Sequence, residues 1–170
     1  MHTWPHLYGP VREGLSRWLS AETRVYLELG SWCGGSALVA AELAPNAQII
    51  CIDAWDGRGG FQYDPSIAAR SLELFQANLW EHRWRVLAIR ADTLTGMTEL
   101  HIAGIRPDIV YVDADHHLLA AATDIKLALS LFPQALICGD DYNEQCGRAA
   151  DVIAGKAVQN IGGKFWWIER

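Results

Sequence analysis

Basic residues are scarce in this 170-residue chain, with 14 Lys and Arg against 20 Asp and Glu and a formal charge of -6. No cluster of Lys and Arg forms a surface that could track phosphates, so nucleic acid is not expected as a partner. No apolar run approaches the roughly 20 residues that span a bilayer, which argues against a membrane protein. The start, Met1-His2-Thr3-Trp4-Pro5-His6, lacks the basic and apolar regions of a signal peptide. Cys33, Cys51, Cys138 and Cys146 contain no C-x-x-C pair. Cys51 and Cys138 lie in apolar runs and read as small buried hydrophobes, which suits a reducing cytoplasm. Internal repeats, low-complexity tracts and linkers are also missing. The expectation is one domain over residues 1–170, with residues 1–23 as an N-terminal helical segment.

What is present is globular: 51% hydrophobic and 20% charged residues, with eight Trp that read mostly as core or pocket wall. Apolar β-branched runs alternate with helical patterns, which predicts βαβ units and a mainly parallel sheet. Strands are expected at 24–29, 48–52, 84–89, 109–112 and 135–138. Helices are expected at 11–20, 36–44, 66–81, 94–104, 118–131 and 147–155. Val11, Leu15, Trp18 and Leu19 share one face of the first helix. The polar, glycine-rich stretch 56–65 reads as a loop and a mobile lid. Two short strands around Gly162-Gly163 read as a tight terminal hairpin.

Five strands in succession end in a glycine or an acid: Gly30, Asp53, Asp92, Asp113 and Asp140. Ligands of open α/β sheets bind outside the carboxyl ends of the strands, so these ends point to one site. Any one of the acids could instead cap the helix that follows it. In the first turn, Gly30-Ser31-Trp32-Cys33-Gly34-Gly35, glycines admit close backbone approach, and the helix starting near Ser36 offers free N–H groups to an anion. Trp32 stands where the dinucleotide fingerprint has its second glycine. That favours a ligand whose charged end is an amino acid, such as S-adenosylmethionine. Asp53 closes the second strand where an acid commonly meets ribose hydroxyls, and Asp92-Thr93 could meet an adenine. Asp113, Asp140 and Asp141 would converge if their strands are neighbours. Such a carboxylate cluster suits Mg²⁺ or a similar divalent ion. The alternative is that Asp140 and Asp141 face solvent in a turn. His116, three residues after Asp113, has the intrinsic pKa of a general base, with His117 an equally available neighbour.

The ordered segments ELGSWCGGSAL (28–38), CIDAW (51–55), RADT (90–93), PDIVYVDADHH (107–117) and LICGDDY (136–142) resemble the motifs of class I S-adenosylmethionine-dependent methyltransferases. Among these they resemble the metal-dependent small-molecule O-methyltransferases. The glycine turn is similar to that of catechol O-methyltransferase, and the VDADHH and GDDY segments to the macrocin and cephalosporin-tailoring branch. The resemblance implies a Rossmann-like, doubly wound α/β fold with a seven-stranded, mainly parallel sheet and an antiparallel C-terminal strand. It implies that Glu28, Gly30, Ser31, Trp32, Gly34 and Ser36 cradle the methionine part of the cofactor. Asp53, followed by Ala54 and Trp55, would take the ribose, Asp92 and Thr93 the adenine edge, and Asp113 would touch the cofactor as well as the metal. Asp113, Asp140 and Asp141 would match the metal ligands, and His116 the base that takes the acceptor's proton.

The resulting expectation is a cytoplasmic O-methyltransferase acting on a small-molecule hydroxyl with a divalent ion. Only about 23 residues precede the first strand, where relatives carry a longer cap. The acceptor site is therefore open, completed by a second subunit of a homodimer, or formed by the 56–65 loop with Trp55. Two alternatives are a metal-independent methyltransferase of the same fold and a non-catalytic cofactor-binding subunit. A nicotinamide-dependent oxidoreductase shares the βαβ pattern but conflicts with Trp32.

Overall fold

The computed structural model describes residues 8–56 and 65–169. The sequence reading of a lid at 56–65 falls almost wholly outside them. Seven strands form one sheet in the order β3-β2-β1-β4-β5-β7-β6. They are β1 (Val25–Leu29), β2 (Gln48–Asp53), β3 (Val86–Arg90), β4 (Ile109–Val112), β5 (Leu136–Gly139), β6 (Val158–Ile161) and β7 (Phe165–Ile168). Strands β1 to β5 pair in parallel, while β7 runs antiparallel to both β5 and β6. This is the Rossmann-like, doubly wound architecture that the resemblance implied. The strand order reverses between β1 and β4, so a crevice opens there at the carboxyl ends.

Both faces of the sheet are covered, and the two-residue period of each strand feeds two cores. Tyr26, Ile49, Cys51, Ile109 and Tyr111 pack beneath α1 (Tyr8–Ser16), α2 (Gly35–Leu43) and α4 (Ser71–Asn78). Their strand neighbours Leu27, Leu29, Ile50, Ile52, Val110 and Val112 pack against α5 (Thr93–Ile102), α6 (Leu118–Leu131) and α7 (Gln145–Ala154). The four cysteines are free and buried. No helix among the described residues is long and apolar enough to cross a membrane.

Strand β4 and helix α6 match the sequence expectation residue for residue. Helix α1 starts three residues earlier than expected and ends at Ser16. Val11, Leu15 and Leu19 are buried as their shared face requires, but Trp18 is 43% exposed and lies beside Trp167, with ring centroids 6.3 Å apart. The single helix expected over 66–81 is broken. A short α3 (Pro65–Ala68) precedes α4, and a 3-10 turn at Trp80–Arg85 follows it. A tertiary contact accounts for that turn: the Arg85 guanidinium donates to the carbonyl of Ala41 in the last turn of α2 and to those of Ala44 and Ala47 beyond it. The last carbonyls of a helix are left without partners inside it, and a cation is favourable at that end.

The terminal hairpin is tight, as expected, but three residues, Gly162 to Lys164, join β6 to β7, with Gly162 and Gly163 both at positive φ (61° and 66°). Because β6 runs parallel to β1–β5, this turn sits on the rim that carries the strands' carboxyl ends.

Candidate functional site

The glycine turn after β1 is held from the side by Asp53. The N–H groups of Ser31 (2.9 Å) and Trp32 (2.8 Å) donate to its Oδ2, and that of Trp55 (2.7 Å) donates to its Oδ1. The Trp55 indole in turn donates to the Trp32 carbonyl at 2.8 Å. Trp32 (φ 46°) and Trp55 (φ 42°) are both in the left-handed region that non-glycine residues avoid. Backbone strain of this kind persists only where surrounding bonds impose it, and it gathers at functional sites. Asp53 therefore has a structural duty that its position at a strand end did not disclose. Trp55, considered for the acceptor wall, is buried and packs edge-on against Phe75. Ala54 is half-buried beside it.

Gly34 (φ 82°) precedes α2 without a capping side chain, so the helix presents its first N–H groups, with Ser36 in that first turn, to an incoming anion. Gly30 (φ 81°) lies so close to β4 that a Cβ there would stand 2.3 Å from the Asp113 carbonyl oxygen. Glu28, expected to cradle a ligand, is fully buried beneath the turn, where Oε2 accepts from the Tyr26 hydroxyl at 2.7 Å. Burial pushes its carboxyl up to about 7. The hydroxyls of Tyr26, Ser31 and Ser36 oppose that rise.

At the end of β3, Asp92 caps α5 by accepting from the Thr95 N–H at 2.9 Å and the Thr95 hydroxyl at 2.7 Å. Thr93 donates its hydroxyl to Asp124 at 2.6 Å. Asp124, unremarked in the sequence, is 4% exposed, and burial pushes its carboxyl up to about 6.

The ends of β4 and β5 carry the densest chemistry. The imidazole of His116 lies between two carboxylates, with Nε2 3.3 Å from Asp113 Oδ1 and Nδ1 3.1 Å from Asp141 Oδ2. Glu144 stands further off, 3.9 Å from Nδ1. Hydrogen bonds to Asp113 and then Asp141 raise His116 to about 10 against the opposing effect of burial. Burial works against ionisation of Asp141, but His116 and Lys164 outweigh it and hold the carboxyl at about 2. Asp141 also has a left-handed backbone (φ 55°). Burial, and then the charge of Asp113, push Asp140 the other way, to about 7. His117, the neighbouring alternative, faces solvent and pairs with Asp115 at 2.6 Å.

Asp113, Asp140 and Asp141 lie close enough for the charges of Asp113 and Asp141 to act on Asp140, but the three are not the group whose donor atoms meet among the described residues. Asp113, His116 and Asp141 instead present donor atoms within 4.8 Å of one another. Asp140 turns its Oδ2 to Lys164, 3.2 Å away, and its Oδ1 has no partner among the described residues. Lys164 also pairs with Asp141 Oδ1. It was missed because nothing local in Gly163-Lys164-Phe165 marks it. Its signal is topological, since a hairpin turn between β6 and β7 must lie on the carboxyl rim beside β5.

A sequence profile described as a methyltransferase domain matches residues 27–142, from β1 through the loop after β5. The chain belongs to this methyltransferase-domain family. Its fold is shared with solved structures of low sequence identity. CalS11, a TDP-rhamnose 3'-O-methyltransferase of calicheamicin biosynthesis, superposes with a TM-score of 0.64 at 15% identity, over 92% of this chain and 76% of that one. An O-methyltransferase from Bacillus cereus in complex with SAH gives 0.64 at 15% identity, over 94% and 79%. Cofactor-bound Rv0187 from MTB gives 0.66 at 19% identity, over 94% and 80%. No curated protein matches the chain. The methyltransferase domain thus places its glycine turn, the switch point and the His116 cluster on one rim.

Proposed function

We propose that this methyltransferase domain transfers the methyl group of S-adenosylmethionine to a hydroxyl of a small molecule, with His116 receiving the hydroxyl proton. The observation that carries this reading is the Asp113–His116–Asp141 chain, set at the switch point beside the glycine turn. When bound, the cofactor supplies a methyl group already activated on a sulfonium. Gly34 and the first turn of α2 would bind its carboxylate, and Asp53 would keep the turn in shape, with about one acceptor site left on Oδ1 for a ribose hydroxyl. Asp92 and Thr93 would line the adenine side.

His116 is held protonated at neutral pH by its two acids. Positive charge bound beside Asp113 and Asp141 would weaken that hold, so that His116 releases its proton to solvent and the neutral imidazole is free to take the hydroxyl proton. Asp113 and Asp141 then orient the ring. Binding of both reactants in line supplies most of the remaining acceleration.

A second reading is favoured by the donor set. Asp113, His116 and Asp141 are hard oxygen and nitrogen donors that suit a divalent ion such as Mg²⁺. Such an ion would supply Lewis acidity to the acceptor oxygen, and His116 would be a ligand instead of a base.

The test is calorimetric titration of S-adenosylmethionine and its demethylated product, with Mg²⁺ and then with a chelator, followed by a screen of sugar and phenol acceptors. Micromolar binding is expected, with turnover insensitive to the chelator if His116 is the base. His116→Ala should retain cofactor binding and lose about 10²–10⁴-fold in turnover, the usual worth of general base catalysis. No binding of either compound under both conditions would overturn the methyltransferase reading.

A further inference from the structure

We propose that Lys164 is a built-in cation of the acidic centre, neutralising the Asp140–Asp141 pair and competing with any divalent ion for it. Adjacent carboxylates repel unless a cation or proton lies between them. Here the ammonium is 3.2 Å from Asp140 Oδ2 and also pairs with Asp141 Oδ1. His116 takes the other oxygen of Asp141, so both oxygens of that carboxylate are engaged by side chains of this chain.

The lysine is delivered by a rigid frame. Tyr142 N–H donates to the Lys164 carbonyl and Asn143 N–H to the Gly163 carbonyl, each at 2.9 Å. Gly163 is so close to Asn143 that a Cβ would stand 2.1 Å from its side chain. The buried Trp166 indole donates to the Asp140 carbonyl at 2.8 Å. The hairpin and the loop after β5 are thus joined on both sides of Lys164, and the side chain is only 31% exposed. Asp140 is nine-tenths buried, with one oxygen on Lys164 and the other without a partner among the described residues.

A divalent ion entering at Asp141 meets a fixed positive charge, so Lys164 selects against metals and leaves the acids balanced by the chain's own cations. This deepens the His116-base reading of the proposed site. Metal binding requires neither acceptor nor turnover, so failure here leaves cofactor binding and methyl transfer to be judged separately.

The experiment is Mn²⁺ titration followed by electron paramagnetic resonance on the wild-type chain, Lys164→Gln and Lys164→Arg. Lys164→Gln should bind Mn²⁺ about tenfold or more tightly than wild type, the step that 1.4 kcal/mol of relieved repulsion gives. Lys164→Arg, which keeps the charge, should stay near wild type. Equal or weaker binding by folded Lys164→Gln would overturn the proposal. Should that variant not fold, limited acetylation of the wild-type chain replaces it, with exposed Lys126 as the reference. Lys164 should then react about tenfold more slowly, as a paired ammonium yields less free amine; equal rates would overturn the proposal.

Discussion

Replacing Asp53 by Ala removes the acceptor for three backbone N–H groups at once, those of Ser31, Trp32 and Trp55. A hydrogen bond to a charged group contributes about 1.5–3 kcal/mol net, and a buried donor left without a partner carries a further cost. Ser31 and Trp55 are buried, so water cannot fully replace the lost carboxylate. Trp32 and Trp55 would also lose what holds them at positive φ, and relaxation there offsets part of the cost. Non-additivity among bonds to one side chain brings the sum to about 4 kcal/mol. For a domain of this size that lowers Tm by about 8–16 °C. Thermal and urea denaturation measure the loss, and calorimetry with S-adenosylhomocysteine should show cofactor affinity falling with it. Asp53→Asn separates the duties: its one carbonyl oxygen can keep Ser31 and Trp32, while its amide opposes the Trp55 N–H, so an intermediate loss is expected. An Asp53→Ala protein melting within 2 °C of wild type, with unchanged affinity, would refute the assigned role (threshold taken from the low end of about 2–4 °C per kcal/mol).

Gly30→Ala places a methyl group 2.3 Å from the Asp113 carbonyl oxygen at φ 81°, so overpacking and backbone strain should together cost at least about 3 kcal/mol in urea denaturation. Near-wild-type stability would show that β1 and β4 can separate freely. Asp124 has a folded pKa of about 6 against an ordinary 3.8, so between these values the native state holds a proton that the unfolded chain releases. Stability therefore falls as pH rises through that window, and the full penalty of about 3 kcal/mol applies above it. Asp124→Asn should remove this slope and be more stable than wild type at pH 7; a less stable variant there would refute the assignment.

Much of the fold was legible locally because burial on both faces of a sheet demands unbroken apolar strands. IVYV at 109–112 and the helical period of 118–131 could take no other course. Five strand ends bearing glycine or acid marked the rim because parallel strands share one polarity. The helix expected at 66–81 was not legible as three pieces, since what organises its end is Arg85 reaching carbonyls at and beyond the end of α2, more than 35 residues away in sequence.

By itself, then, the sequence determined the strand and helix order, the glycine turn and the rim on which the chemistry gathers, since each follows from periodicity, turn chemistry and strand polarity. Only the tertiary structure decided which acids meet which cations. Asp53 was turned to the backbone, Thr93 to Asp124, His116 to Asp113 and Asp141, and Lys164 to Asp140 and Asp141. Side-chain pairing depends on the angle at which neighbouring strands and their turns approach one another, and that angle is set by the packed sheet and not by any local run of residues.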